Sequence, residues 1–444
     1  MSEERYIAAI EISSSKIVAA VGKTSGEGQL QVIAIEQDKA VDGVRYGIIQ
    51  NLEDTSLRVA RVIDRLQKRT GVAPRLIKGV FVGLSGRSLK SIPSAVTINL
   101  PDDTEITDDI LERLKREAMR AAIDSSLEVI DAVPRIYKVG KTETTSPKGT
   151  VGNRIQATYD LIVCRPEIKR NLERTIQDKL GIRIEGCVVT ALATGHLLLT
   201  SEEKRLGCML VDMGAETTTV TIYSKGCLRY FATIPLGGRN ITRDLQSLSL
   251  LEEDAEEIKK TSGNAIAPEF PSSLNLNGVK LSDVSNLLVA RAEEIVANVV
   301  EQIEYSGLKE GELPTKVVCI GGGSRLQNIN ELLSAHINLP VVRGRLPKYV
   351  LVDDAKGSSA DVEEMISVLY AGATLSKHQC LEEPAREELP VVDELPPAPA
   401  DPVIEEEEEE PVRRPKKEHS WMRSLKNRIS NIFSAPDDDS DILE

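Results

Sequence analysis

Short apolar runs broken by polar turns pattern the chain, and the two sharpest breaks repeat one plan. From Leu210 to Gly226, LVDMGAETTTVTIYSKG, an apolar run ends on Asp212, turns through Met213 and Gly214, and returns along a threonine-rich segment. Thr219, Val220, Thr221, Ile222 and Tyr223 alternate with period two, so the stretch predicts a strand, a tight turn and a returning strand. From Tyr6 to Gly22, YIAAIEISSSKIVAAVG, an apolar run ends on Glu11, turns through Ser13, Ser14 and Ser15, and leaves past Lys16 on another apolar run. Two such hairpins about two hundred residues apart predict two related half-molecules.

Other elements follow from the same periodicities. Leu30 to Glu36 predicts a strand, Asn51 to Arg69 a helix closed by Gly71, and Lys78 to Leu84 a strand. Ser85 to about Arg165 looks like an insertion. It has alternation at Val96, Ile98 and Leu100, a polar break from Pro101 to Thr107, a helix from Asp108 to about Ile123, and strands Val129 to Val139 and Arg154 to Cys164. A helix over Glu167 to Leu180, a strand over Ile182 to Val189 and a helix over Ala191 to Leu199 lead to the second hairpin. Beyond it come a strand over Tyr230 to Pro235, a Gly237-Gly238 turn, and a helix with Thr242 as its predicted N-cap. Glu252 to Thr261 and Ser282 to Tyr305 predict helices, Lys316 onward a buried strand, and Gln327 to Ala335 and Glu363 to Leu375 further helices. This alternation of strands and helices predicts an α/β fold.

Composition narrows the functions. At 444 residues the chain can carry two or more cores, and with only 3% aromatic residues those cores rest on Ile, Leu, Val and Ala. A net charge of -14 argues against a nucleic-acid binder. The six cysteines form no CxxC pair and the four histidines are scattered, so buried free thiols are expected and no zinc spacing is seen. Glu11 and Lys16 interrupt the first apolar run, so no secretory signal is expected, and no run reaches the roughly 18 residues of a spanning helix.

The hairpins carry the candidate chemistry. A tight turn directs backbone N–H groups and hydroxyls into one hollow, which suits a polyphosphate. The candidates are Ser13, Ser14, Ser15 and Lys16 in the first turn, and Gly214, Ala215, Glu216, Thr217 and Thr218 in the second. Glu11 and Asp212, at the strand ends, are placed to hold a hydrated Mg2+. Gly237 and Gly238, and the run Gly321, Gly322, Gly323, Ser324, let backbone approach a ligand closely. Walker A and GxGxxG spacings are absent. Taken singly, each stretch also reads as an ordinary turn, and Glu256 with Lys259, three apart on one helix face, as a solvated surface pair.

Taken in order, these motifs resemble the actin, hexokinase and Hsp70 ATPase superfamily and, within it, the family of the bacterial cell-division protein FtsA, over roughly residues 5 to 378. The resemblance implies an actin-like ATPase fold of two duplicated α/β halves around a nucleotide cleft, with ATP and Mg2+ as cofactors. Glu11 to Lys16 and Asp212 to Thr219 look like its two phosphate loops, Ile320 to Ser324 like its adenosine loop. IPLGGRNITRDL and AEEIKK, with Gly237, Gly238, Glu256 and Lys259, look like its ribose-side and adenine-side elements. The helices containing Thr190 to Gly195 and Ala371 to Ala373 look like its two connecting helices. It implies subdomains 1A at 1–84 and 166–205, an FtsA-type inserted 1C at 85–165, 2A at 206–240 and 314–378, and 2B at 241–313. Glu11, Ser13, Ala215 and Glu216 depart from the family pattern; Glu216 puts an added negative charge near phosphates. Thr190 stands where an acid is common, so at most weak ATPase activity is expected.

After residue 378 the composition turns to Pro, Glu and Asp. Residues 379–418 predict a disordered linker and 435–444 an acidic tail. Between them, 419–434 predicts an amphipathic helix: Trp421, Met422, Leu425, Ile429, Ile432 and Phe433 share one arc, Arg423 and Lys426 lie outside it, and Arg428 sits at its edge. Trp421 and the basic face favour an in-plane anchor on anionic lipid over docking on a protein. The resemblance then implies a protein at the cytoplasmic face of the plasma membrane, at the division septum. It would polymerise, bind the FtsZ C-terminal peptide through 2B, tether the FtsZ ring and help recruit later division proteins. The alternative is a phosphotransferase, polyphosphatase or Hsp70-like ATPase of the same fold.

Overall fold

A computed structural model of the chain describes residues 4–383 apart from 26–28, 41–42, 268–274, 277, 310–313, 353–361 and 376–378. The expected amphipathic helix, the acidic tail and the linker beyond residue 383 lie outside these. Two sheets organise the rest, and they are built alike. In the first, β1 (Arg5–Ile12), β2 (Lys16–Ser25) and β3 (Gln29–Lys39) form an antiparallel meander. β4 (Gly79–Leu84) then lies parallel to β1, and a later strand, Arg183–Val189, lies parallel to β4.

The second sheet repeats this order with Cys208–Met213, Thr218–Ser224 and Cys227–Ile234 as the meander and Val317–Ile320 and Val341–Arg343 as the parallel strands. The inserted block supplies β5 (Lys90–Glu105), β6 (Glu128–Val139), β7 (Thr142–Thr144) and β8 (Val151–Cys164). In chain order the later strands are β9 (Arg183–Val189), β10 (Cys208–Met213), β11 (Thr218–Ser224), β12 (Cys227–Ile234), β13 (Val317–Ile320), β14 (Val341–Arg343) and β15 (Val350–Val352).

Each half lends a strand to the outer edge of the other's meander. β5, from the insertion in the first half, reaches β12 through the pair Lys90 and Ala232, making one nine-stranded sheet ordered β7-β6-β8-β5-β12-β11-β10-β13-β14. β15, from the second half, lies parallel to β3 and completes a six-stranded sheet. Unpaired edge N–H and C=O groups attract other strands, and this exchange covers both meander edges.

Helices cover the faces. α1 (Leu52–Gln67) is capped by Asn51, whose side chain accepts the Glu53 and Asp54 amides, and buries Val59, Val62, Ile63 and Leu66 against the first sheet. α2 (Asp108–Met119) sinks Leu114 and Ala118 into the core of the inserted block. α3 (Thr190–Leu198) and α8 (Glu363–Leu375) pack on each other between the halves. α4 (Gly238–Gln246), α5 (Glu252–Ser262) and α6 (Leu281–Tyr305) share a core of Ile241, Leu245, Ala255, Ile258, Val284 and Leu288, while α7 (Ile329–Ile337) packs beside β14.

Several expectations are corrected. The polar break at Pro101 to Thr107 is still strand to Glu105, because Thr104 and Glu105 pair with Gly152 and Val151. α1 closes at Lys68, before Gly71. α2 ends at Met119, short of Ile123. The Glu167 to Leu180 helix is α-helical only over Pro166–Glu173 and then widens to a π-turn over Arg174–Asp178. Thr242 is not an N-cap: the helix begins at Gly238, and the Asn240 side chain accepts the Gly237 amide. The linker expected from 379 does not begin there, because Cys380 is buried, its amide donates to the Tyr6 carbonyl, and Leu381–Glu382 pairs with Leu76–Ile77. All six cysteines are free, four of them buried.

Candidate nucleotide site

The two hairpins place their acids in corresponding positions. Glu11 pairs with Val18 and Asp212 with Thr219, each one residue before the last pair of its hairpin. Ser13 closes the first turn: its hydroxyl donates to the Lys16 carbonyl at 2.9 Å and its amide to the same oxygen at 3.0 Å. Ser15 is exposed. Ser14 is buried, and its Oγ accepts the Gly47 amide at 2.9 Å. In the second turn the Gly214 amide donates to the Thr217 carbonyl at 2.9 Å, and buried Thr218 donates its hydroxyl to the Leu236 carbonyl at 2.8 Å.

Two glycine-bearing loops converge on this second turn. Gly238 N donates to the Gly214 carbonyl at 3.0 Å and Arg239 N to the Ala215 carbonyl at 2.6 Å. A Cβ on Gly237 would lie 2.7 Å from the Ala215 and Gly214 carbonyl oxygens, and one on Gly323 would lie 2.9 Å from the Met213 carbonyl oxygen. Only a bare backbone passes here. Gly322 remains exposed, and Ser324 is buried with its hydroxyl donated to the Gly321 carbonyl at 2.8 Å.

Glu256 and Lys259 are not a solvated pair. Lys259 Nζ donates to the Glu256 carboxylate at 2.5 Å, to Thr242 Oγ1 at 2.9 Å and to the Gly238 carbonyl at 3.0 Å. Thr242 donates to the same carboxylate at 2.6 Å. Burial opposes the charge on both groups. For Glu256, Lys259 and the neighbouring donors outweigh burial and hold the carboxyl below its ordinary value; for Lys259 burial wins and lowers the ammonium.

Sequence reasoning missed Glu364, on the first turn of α8. Burial first, then its charge, push Asp212 and Glu11 well above the ordinary carboxyl range, while Lys16 opposes both shifts. Asp212 Oδ1 is buried without a hydrogen-bond partner, and so is Thr190 Oγ1. The signal in the sequence was an acid eight residues before Gly372 on a helix already expected to connect the halves, but nothing local tied it to Glu11 or Asp212.

The donors fit a hard cation. Glu11, Asp212 and Glu364 offer only oxygens, and like charges gathered out of water call for a compensating positive charge. Among the described residues no three His, Cys, Asp or Glu side chains are arranged to hold a metal directly. The fit is therefore to an ion that keeps its waters, as Mg2+ commonly does.

Glu216 also departs from expectation. Its carboxylate is fully buried and engaged by Arg243, by Arg45 at 3.0 Å, by Arg239 at 3.6 Å and by the Tyr46 amide at 2.7 Å. Burial resists its ionisation, but the Tyr46 amide and the three guanidinium groups prevail and hold its pKa below the ordinary value. The expected added negative charge is thus surrounded by three positive ones.

Two duplicated sheets with acid-tipped hairpins facing connecting helices define an actin-like ATPase fold. In fold alone it is similar to a chain of the PilM-PilN type IV pilus biogenesis complex, with a TM-score of 0.61 over 82% of this chain and 98% of that one, at 16% identity. The chain belongs to the FtsA family: the family model for cell division protein FtsA matches residues 209–361, and that for the SHS2 domain inserted in FtsA matches residues 86–163. Cell division protein FtsA of Porphyromonas gingivalis is 29% identical over 331 residues, 72% of this chain and 68% of that protein. That of Pseudomonas aeruginosa is 28% identical over 352 residues, 77% of this chain and 83% of that protein. This is an actin-like cell-division protein. Among the described residues no helix is long and apolar enough to cross a membrane.

Proposed function

We propose that the chain binds ATP with Mg2+, polymerises, and tethers the FtsZ ring to the cytoplasmic face of the plasma membrane at the septum, helping to recruit later division proteins. The observation that carries the nucleotide reading is the orphaned Asp212 Oδ1 facing Glu11 and Glu364 where the glycine-lined loops meet the second hairpin. In this reading Glu11 and Asp212 hold the hydrated ion, which when bound neutralises the acids and phosphates. The Lys16 side chain, the amides of Ser14 and Ser15 and those of Ala215 to Thr217 hold the phosphates, while the Ser13 and Gly214 amides close the two turns. Gly237 and Gly238 on the ribose side and Gly321 to Ser324 admit the nucleoside, and Glu256 with Lys259 fixes the rim on its adenine side. Thr190 carries no carboxylate to activate water, so hydrolysis is weak.

The partners in this reading are the FtsZ C-terminal peptide on residues 241–313, further copies of the chain in filaments, and anionic lipid under Trp421, Met422, Leu425, Ile429, Ile432 and Phe433. Two measurements test it. Calorimetry with Mg2+ and ATP should give saturable heat, and its absence removes the nucleotide reading. The full chain should co-sediment with anionic liposomes and a truncation ending at Glu418 should not; binding that survives truncation removes the lipid assignment.

A further inference from the structure

The turn at Arg45, Tyr46 and Gly47 touches both hairpins. Tyr46 has φ 51° and Gly47 φ 74°, so two successive residues are left-handed, an arrangement that points successive amides the same way. The Tyr46 amide donates to Glu216 Oε2 of the second hairpin at 2.7 Å, and the next amide, Gly47, donates to Ser14 Oγ of the first at 2.9 Å. Arg45 adds an ion pair to Glu216, and Arg87 braces the turn by donating its amide to the Tyr46 carbonyl at 3.1 Å and lying over the Tyr46 ring. A left-handed tyrosine is unfavourable by itself and persists only where surrounding contacts hold it.

We propose that the Arg45 to Gly47 turn is a strap that sets the two hairpins in mutual register, with Glu216 as the positioning residue that anchors the strap and gathers Arg45, Arg239 and Arg243 around the second hairpin. The inference rests on the nucleotide reading for its ligand, a nucleoside triphosphate, and on the hydrogen bonds and the Arg45 ion pair alone for the strap. Three guanidinium groups face Glu216, and Glu252 meets only Arg239, at 3.8 Å, so a positive surplus remains beside the hairpin. Charge counting without the structure says that removing Glu216 strengthens phosphate binding. The strap says the reverse, because the arginines and the first hairpin lose their anchor.

The test compares the full chain with Glu216→Gln, Arg45→Ala and the double variant, each first shown to melt cooperatively. Amide exchange at Tyr46 is read on 15N-tyrosine-labelled protein without ligand, and affinity with a fluorescent ATP analogue and Mg2+. The expected result is Tyr46 exchange faster by about tenfold or more in Glu216→Gln, whose neutral amide oxygen accepts the Tyr46 N–H without the charge that strengthens the bond and gathers the arginines. ATP affinity should fall by a similar factor, and the double variant should be little worse than Glu216→Gln alone. Unchanged exchange at Tyr46, or tighter ATP binding in Glu216→Gln, overturns the strap. A wild-type chain that takes up no ATP, while Glu216→Gln still frees the Tyr46 amide, removes the nucleotide reading and leaves the strap standing.

Discussion

Gly321 is backed directly onto Asp212: a Cβ at Gly321 would lie 2.5 Å from Asp212 Oδ1. Gly321 is also left-handed, with φ 81°. Alanine there meets both a strained backbone and a carboxylate that cannot retreat without disturbing β10, so Gly321→Ala should lose about 2–4 kcal/mol. Gly226 shares the same φ but has open space at its Cβ, so Gly226→Ala should lose only about 1–2 kcal/mol. Urea denaturation of both variants separates the steric from the conformational cost; equal losses would show that Asp212 does not restrict the site.

Asp212→Asn should stabilise the ligand-free protein. Burial and the charges of Glu364 and Glu11 raise the folded pKa of Asp212 above its ordinary 3.8, so its ionised form costs stability at neutral pH. That cost disappears as pH falls through the folded pKa toward 3.8. The variant should therefore melt above wild type at pH 8, with the gap narrowing on acidification. Mg2+ and ATP should raise the melting temperature of wild type and leave the variant nearly unmoved. A gap that widens in acid would refute the assignment.

Arg135 joins the inserted block to the second half. It pairs with Asp160, which is 1% exposed, and donates to the Arg229 carbonyl at 3.1 Å. Burial raises the Asp160 pKa despite Arg135, so the carboxylate depends on that partner. Arg135→Ala should lose about 3–5 kcal/mol, while the double variant Arg135→Met, Asp160→Leu should recover most of it. Chemical denaturation of the three proteins checks this; a double variant as unstable as Arg135→Ala would mean packing, not the stranded charge, sets the cost.

Lys259→Met should lose about 1–2 kcal/mol at pH 7 through its bonds to Glu256, Thr242 and Gly238. The folded pKa of Glu256 lies below its ordinary 4.5, so the pair's stability is present above that value and is lost as pH falls through the folded pKa. Denaturation curves of wild type and variant should converge in acid. Parallel curves from pH 7 to pH 3 would remove Glu256 from the account.

The hairpins were legible because each signal is local. An apolar strand ending in an acid, a polar turn and a second strand sit within 17 residues, and the fold needs nothing distant to form them. Thr242 misled because its hydroxyl fits an N-cap by type, yet Asn240 reaches the Gly237 amide and Thr242 turns to Glu256 instead. Pro101 misled because the break is a bulge: residues 100–103 stand between the pairs Asn99–Arg154 and Thr104–Gly152, and pairing resumes beyond them. Glu216 was readable as a charge but not as a charge with partners, since Tyr46 lies 170 residues away.

By itself the sequence determined the two-half α/β plan, the positions of both acids at their strand ends and the glycine loops, because periodicity and turn chemistry act over a few residues. Only the tertiary structure decided which strand covers which edge, so that β5 and β15 cross between the halves, and which charges face each other. Strand pairing and buried electrostatics depend on segments brought together from across the chain: Glu364 between Glu11 and Asp212, and three arginines around Glu216.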